Sequence, residues 1–188
     1  MRHGLSADRL ALEGASLADD VGFDEVTLSA LARHVGVKPA SLYAHVAGSD
    51  DLRARIALFA LEELADRASA AMAGRAGRDA LAALGGVYRD YAHEHPGRYA
   101  AAQLRLDAAT AAASAGPRHS AMTRAVLLGY DIPEDDHVHA IRLIGSVFRG
   151  FVDLESGGSF SHSEPPAADS WLRVIDAIDS LLRHWDLP

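Results

Sequence analysis

The chain has no cysteine among its 188 residues, a single lysine against seventeen arginines, and only 6% aromatic residues. The first absence excludes a disulfide scaffold and leaves every redox compartment open, with the cytoplasm as the default expectation. The scarcity of lysine beside abundant alanine reads as the signature of a GC-rich genome more than as chemistry. Long apolar runs are also missing: Asp, Glu, Arg or His interrupts every few positions, far short of the ~18 uninterrupted apolar residues of a membrane span. The opening Met-Arg-His-Gly-Leu-Ser lacks the apolar core of ~7–15 residues that a secretion signal needs, so none is expected. No sustained period-2 alternation of β-branched and aromatic residues occurs, which argues against strands. Neither a G-x-S-x-G elbow nor a G-x-x-x-x-G-K-[ST] phosphate loop is present, which removes the usual sequence basis for a serine hydrolase or a nucleotide-binding fold.

What remains is 49% hydrophobic and 23% charged with a mean hydropathy of zero, the composition of an ordinary globular chain rather than a disordered one. The length fits one domain, or a small domain continuous with a larger one. Net charge is −8 with a pI near 5.6, which argues against a general polyanion binder. The first 60 residues carry a net −2 and the remaining 128 a net −6. Any nucleic-acid contact must therefore come from local placement of groups.

Helical punctuation runs throughout. Ser6 can cap a helix near 7–20 that Gly22 closes in a left-handed conformation, with Leu10, Ala15, Leu17 and Ala18 inside it. Thr27 caps a second, short helix in which Leu28, Leu31, Ala32 and Val35 share one face, and Gly36 ends it. Lys38 and Pro39 restart the chain into a third helix that docks Leu42 and Val46 while Ser41, Tyr43, Ala44 and His45 look outward. Ser49 is the expected N-cap of a long fourth helix reaching about Ala73, with Asp50 and Asp51 in its first turn. Further helices are expected near 78–94, 97–105, 107–115, 117–128, 135–156 and 169–185, with Gly157 to Asp169 as a flexible loop. The expected fold class is all-α: a three-helix helix-turn-helix head, residues 1–48, followed by a larger helical body, residues 49–188.

A recognition helix lays its N-terminal residues on base edges of the major groove while flanking groups hold phosphates. Lys38 suits a phosphate or a guanine edge, Ser41 a base edge or phosphate, and Ala40, following Pro39, is small enough to approach a thymine methyl. Tyr43 and His45 fit phosphate oxygens, and Thr27 with the amides that open the second helix forms a neutral phosphate seat. The competing view is a plain three-helix unit with a solvated third helix.

The run from Gly22 to Ile56 resembles the DNA-binding segment of the TetR family of transcriptional regulators. Gly22, Phe23, Thr27, Leu31, Ala32, Gly36, Val37, Leu42, Tyr43, His45, Val46 and Leu52 stand at the spacings of that family's pattern. Two departures are visible: Ser49 stands where a phosphate-touching Lys is common, and Val46 where an aromatic is usual. The later segment from Ser146 to Phe160 is similar to the penultimate helix of an actinobacterial-type TetR subgroup over a short stretch, with Arg149 in place of an expected His.

The resemblance implies a homodimer whose two heads read a palindromic operator in double-stranded DNA, released by an unidentified small-molecule effector and most often repressing. It implies dimerisation through the last two helices, for which Ile141, Ile144, Phe151, Trp171, Ile178, Leu182 and Trp185 are the candidates. Effector contacts are sought among Tyr88, Tyr91, Tyr99, Arg105, Met122, Arg142 and Phe148, because a mostly apolar cavity needs a few aromatic or polar anchors. No cofactor, metal or enzymatic activity is expected. His93 and His95, like His137 and His139, are two apart on a helix and point some 160° from each other, so neither pair can share one ion; Asp135 and Asp136 near His139 read as solvated surface. The alternative is a helical ligand- or protein-binding module whose head has lost its DNA affinity.

Overall fold

The computed structural model describes residues 5–185, and every secondary-structure element among them is a helix. Helix α1 spans Ala7–Val21, opening at Ser6, whose Oγ accepts the Arg9 N–H at 3.2 Å. Gly22 closes it at φ 91° and ψ 143°, a positive φ as expected but with an extended rather than helical ψ. Helix α2 spans Leu28–Val35, α3 Ser49–Met72, α4 Gly77–Glu94 and α5 Pro96–Ala102. Helix α6 covers Ala108–Ala113 behind Asp107, whose carboxylate accepts the N–H groups of Ala109 and Thr110 at 3.0 Å. Helices α7 (Gly116–Leu127), α8 (His137–Ser156) and α9 (Ala167–Arg183) complete the described chain. Short 3-10 turns at Phe23–Glu25, Pro39–Ser41 and Glu134–Asp136 link them.

Two compact units form. The first joins Met1–Leu64 to Tyr91–Gly116, the second Ala65–Asp90 to Pro117–Pro188. This division by contact differs from the 48/49 boundary expected from the sequence, because α5 packs its small residues on α1. In the first unit, Leu10 and Ala18 of α1, Leu31 of α2, Leu42 of the turn that follows, Leu52 and Ile56 of α3, and Ala101 of α5 share one apolar core. Gly97 is the tightest point. A Cβ there would lie 2.0 Å from the carbonyl of Ala18, so only glycine lets α5 come this close to α1. Beside it, Arg98 Nε stands 3.0 Å from an Asp19 carboxylate oxygen and Nη1 3.1 Å from Glu63, to which the Tyr91 hydroxyl donates at 2.8 Å.

The second unit buries Leu81 and Leu84 of α4, Val126 and Leu127 of α7, Ile144 and Phe148 of α8, and Trp171, Ile175, Ile178 and Leu182 of α9. Gly85 gives its aromatic centre room: a Cβ there would meet Phe148 at 2.6 Å and Trp171 at 2.9 Å. Arg89 holds Glu155 with two hydrogen bonds of 2.7 and 2.6 Å, tying α4 to α8.

Candidate nucleic-acid interface

The head's surface is built by two apolar anchors and two glycine- or proline-directed turns. In α2, Leu28, Leu31 and Ala32 are buried, which forces Thr27, Ser29 and Arg33 to the outside. Thr27 Oγ1 accepts the Ala30 N–H at 3.1 Å, and the amides of Leu28 and Ser29 ahead of it have no acceptor among the described residues. That end of α2 carries the positive pole of the helix and free donors, the chemistry of a phosphate seat. Gly36, left-handed at φ 72° and ψ 35°, lets the Val37 N–H return to the Ala32 carbonyl at 2.9 Å and turns the chain sharply.

The segment expected as a third helix of about two turns is instead a 3-10 turn, Pro39–Ser41, followed by tight turns through His45. The reason is local. Pro39 supplies no donor, the bonds Ser41 N–H to Lys38 and Leu42 N–H to Pro39 are of the i→i−3 kind, and Val46 to Leu42 is one i→i−4 bond before Gly48. Leu42 and Val46 are fully buried and pin this piece to the first core. Lys38, Pro39, Ala40, Ser41 and Ala44 are exposed, and Tyr43 shows 61% of its surface. His45 is half-buried, less outward than its spacing implies.

Ser49 is not the cap it was expected to be. The Gly48 carbonyl accepts the Leu52 N–H, which makes Ser49 the first helical residue, and Asp51 reaches back to the Ala47 N–H at 2.8 Å. That backbone bond, more than the adjacent Arg55 at 2.9 Å, holds the Asp51 carboxyl below the ordinary carboxylate range against a smaller opposing effect of burial. An acid three residues into a helix does the capping here, a placement the carboxylate's reach allows and the serine's register does not.

The expected effector residues are divided between the two units. Tyr91 and Tyr99 are buried in the first unit, and Arg105 is exposed at the rim of a recess of about 260 Å³ that Asp50, Arg53, Leu104 and Thr110 also line. Tyr88, Met122, Arg142 and Phe148 belong to the second unit. There Tyr88 lies with its hydroxyl 2.5 Å from His119 Nδ1, Met122 is half-buried, Arg142 is exposed on α8 and Phe148 fills the core. The interface candidates divide as well. Ile144, Trp171, Ile178 and Leu182 are buried within the single chain, Ile141, Phe151 and Trp185 partly so, and the Trp185 indole N–H is spent on Asp136 at 3.0 Å. The apolar side chains that α8 and α9 leave outside are Val138, Leu154, Leu172 and Leu181. A periodic apolar stripe marks which helix has a wide greasy face but not which part of it the chain's own core covers.

Two features of the first unit were not foreseen. Arg53 Nη1 donates to the Phe23 carbonyl and Nη2 to the Asp24 carboxylate, both at 2.9 Å, across some thirty residues of sequence. No helical spacing signals such a pair. The Asp19, Glu63 and Arg98 cluster is equally non-local. Among the described residues no group of three or more His, Cys, Asp or Glu is arranged to hold a metal ion, and no helix is long and apolar enough to cross a membrane.

Comparison with known proteins agrees with this geometry. Residues 13–56 match the family model described as bacterial regulatory proteins, tetR family, and residues 81–178 the model described as tetracyclin repressor-like, C-terminal domain. The chain is 33% identical over 184 residues to an uncharacterised HTH-type transcriptional regulator, Rv0681, of Mycobacterium tuberculosis, covering 92% of this chain and 82% of the relative. A second uncharacterised HTH-type regulator, YobS of Bacillus subtilis, is 30% identical over 87% of this chain and 85% of its own length. Among solved structures, a protein of unknown function from Rhodococcus sp. RHA1 superposes with a TM-score of 0.79 at 23% identity, covering 97% and 98% of the two chains. A TetR variant from Acinetobacter baumannii in complex with minocycline does so with 0.72 at 15% identity, covering 98% and 100%. A helix-turn-helix of this geometry matched over residues 13–56, with a helical body matched over residues 81–178, makes the chain a member of the TetR family of transcriptional regulators.

Proposed function

We propose that the chain is a repressor that binds a palindromic operator as a homodimer in the cytoplasm and leaves it when a small molecule occupies the body. The observation that carries this reading is the exposed run Lys38 to Tyr43, held rigid by buried Leu42 and Val46 beside the Thr27-capped end of α2. Residues 1–48 act as the reading head and residues 49–188 as the effector-binding and dimerising body. In the groove, Ala40 and Ser41 face bases, with Lys38, Tyr43, His45 and Thr27 on the flanking phosphates. The effector contacts lie in the second unit around half-buried Tyr88 and Met122, and binding there reports to the head through α3, whose residues belong to the cores of both units. A coupling of ~1–3 kcal/mol changes operator affinity 5–150-fold.

Selection of binding sequences from a random duplex pool tests the reading directly. Enrichment of a palindrome is the expected result, and its affinity should fall in both Lys38→Ala and Tyr43→Phe while the fold is kept. Unchanged affinity in both variants removes the groove assignment. A folded dimer that enriches nothing at low salt moves the function to the body, with a vestigial head, a reading that the internal pairing of Arg53 and Arg55 favours.

A further inference from the structure

The cations of the head and of the start of α3 that follows it are unequally available. Arg9 lies 3.5 Å from Glu13, Arg53 2.9 Å from Asp24 and Arg55 2.9 Å from Asp51, while Arg33 and Lys38 have no acid partner among the described residues. Arg53 is held differently from the rest. Its guanidinium lies 4.0 Å over the ring of Phe23 and donates to that residue's carbonyl, and Phe23 is itself buried in the first core. The acid is the loose member of the pair: the Asp24 side chain is 95% exposed against 23% for Arg53. Phe23 thus holds the guanidinium through its carbonyl and its ring, contacts that do not involve Asp24. If the Asp24 charge is removed, one N–H edge and a full positive charge turn to solvent three residues ahead of the Thr27 cap.

We propose that Arg53 is a phosphate-binding cation held off the DNA backbone by Asp24, so that this surface ion pair sets how tightly the head binds DNA. The proposal rests on the reading of the head as a DNA-binding surface. A carboxylate and a phosphate offer the same paired oxygens to a guanidinium fork and compete for it. An exposed ion pair is weak enough for the exchange to be governed by one substitution. Pairing of this kind withholds one cation from a polyanion in a segment, the first 60 residues, whose net charge is −2.

The test uses the full chain and a fluorescein-labelled random-sequence duplex of about 30 base pairs, titrated by anisotropy from about 50 to 200 mM salt. Asp24→Asn should bind more tightly and steepen the slope of log affinity against log salt by about one unit per bound head. Arg53→Gln alone should leave affinity nearly unchanged, and in the Asp24→Asn background it should abolish the gain. Asp50→Asn, a charge-matched neighbour that releases no guanidinium, should leave the slope as it was. The proposal is overturned if the double variant keeps the gain, or if Asp50→Asn steepens the slope as much as Asp24→Asn does; the latter comparison decides the matter should Arg53→Gln not fold. Wild-type binding with an identical Asp24→Asn curve overturns this proposal alone. Silence of both proteins at the lowest salt overturns the DNA-binding reading with it.

Discussion

At the scale of single residues, the head depends on a few positions whose chemistry admits little substitution. Thr27 is one: replacing it with Ala leaves the Ala30 amide without its acceptor and should cost about 1 kcal/mol in urea unfolding. Gly97 is another. A methyl group at 97 has no space against the Ala18 backbone, so Gly97→Ala must push α5 away from α1 and should destabilise the chain by about 3 kcal/mol or more. Denaturation midpoints with an unchanged slope would show this as lost stability rather than altered compactness. In the second unit, Asp179 accepts the Tyr130 hydroxyl at 2.7 Å and Arg183 Nε at 2.9 Å. Burial opposes its ionisation, but those two hydrogen bonds and the charge of Arg183 together outweigh it, and the carboxyl sits below its ordinary range. The same burial, with the neighbouring carboxylate, pushes the Tyr130 hydroxyl up. A folded value below the unfolded one means that the stability Asp179 supplies is complete above about pH 4 and is lost as pH falls through the folded value. Asp179→Asn should therefore flatten the acid limb of a stability-versus-pH curve below about pH 4, and an unchanged limb would assign acid sensitivity elsewhere.

At the scale of elements, caps and breakers made most helices readable. Asp107, Thr27, Ser6, Gly36 and Pro96 mark the ends that the structure shows, because each acts on its own neighbours within one turn. The exceptions are instructive. Ser49 and Asp51 are both capable of capping α3, and the choice between them depends on where the Gly48 turn places the first amides. Leu42 and Val46 stand at helix spacing, yet the chain between them runs through tight turns, because Pro39 and the i→i−3 bonds that follow it leave a single i→i−4 bond, Val46 to Leu42, ahead of Gly48. Helix α9 shows the same ambiguity on a larger scale. Its sequence displays a broad apolar face, and the tertiary fold spends Trp171, Ile175, Ile178 and Leu182 on the chain's own core while leaving Leu172 and Leu181 outside. The two sets of side chains predict opposite outcomes. Leu182→Ala should lower stability by about 2–5 kcal/mol through a buried cavity. Leu172→Glu with Leu181→Glu should keep the fold and shift the sedimentation of the proposed dimer toward the monomer; a dimer that persists would move the interface off this face of α9.

At the scale of the whole molecule, the sequence by itself determined the helical class, the order and approximate ends of the helices, and the TetR-type head. Those follow from short-range rules: hydrophobic spacing along one helix, a capping side chain within three residues, a glycine at a left-handed turn. It also determined the sign of the overall charge, which makes any DNA binding a matter of local placement. Only the tertiary structure decided which acids neutralise which arginines, as in Arg53 with Asp24 or Arg98 with Asp19 and Glu63, since those partners lie tens of residues apart. Only it decided that Tyr91 and Tyr99 belong to the first unit and Tyr88 to the second, and which half of an apolar helix face stays exposed. The physical reason is common to all of these. Helix formation is written in contacts three or four residues apart, whereas burial and charge pairing depend on which surfaces the folded chain brings together, and a linear pattern carries that information only indirectly.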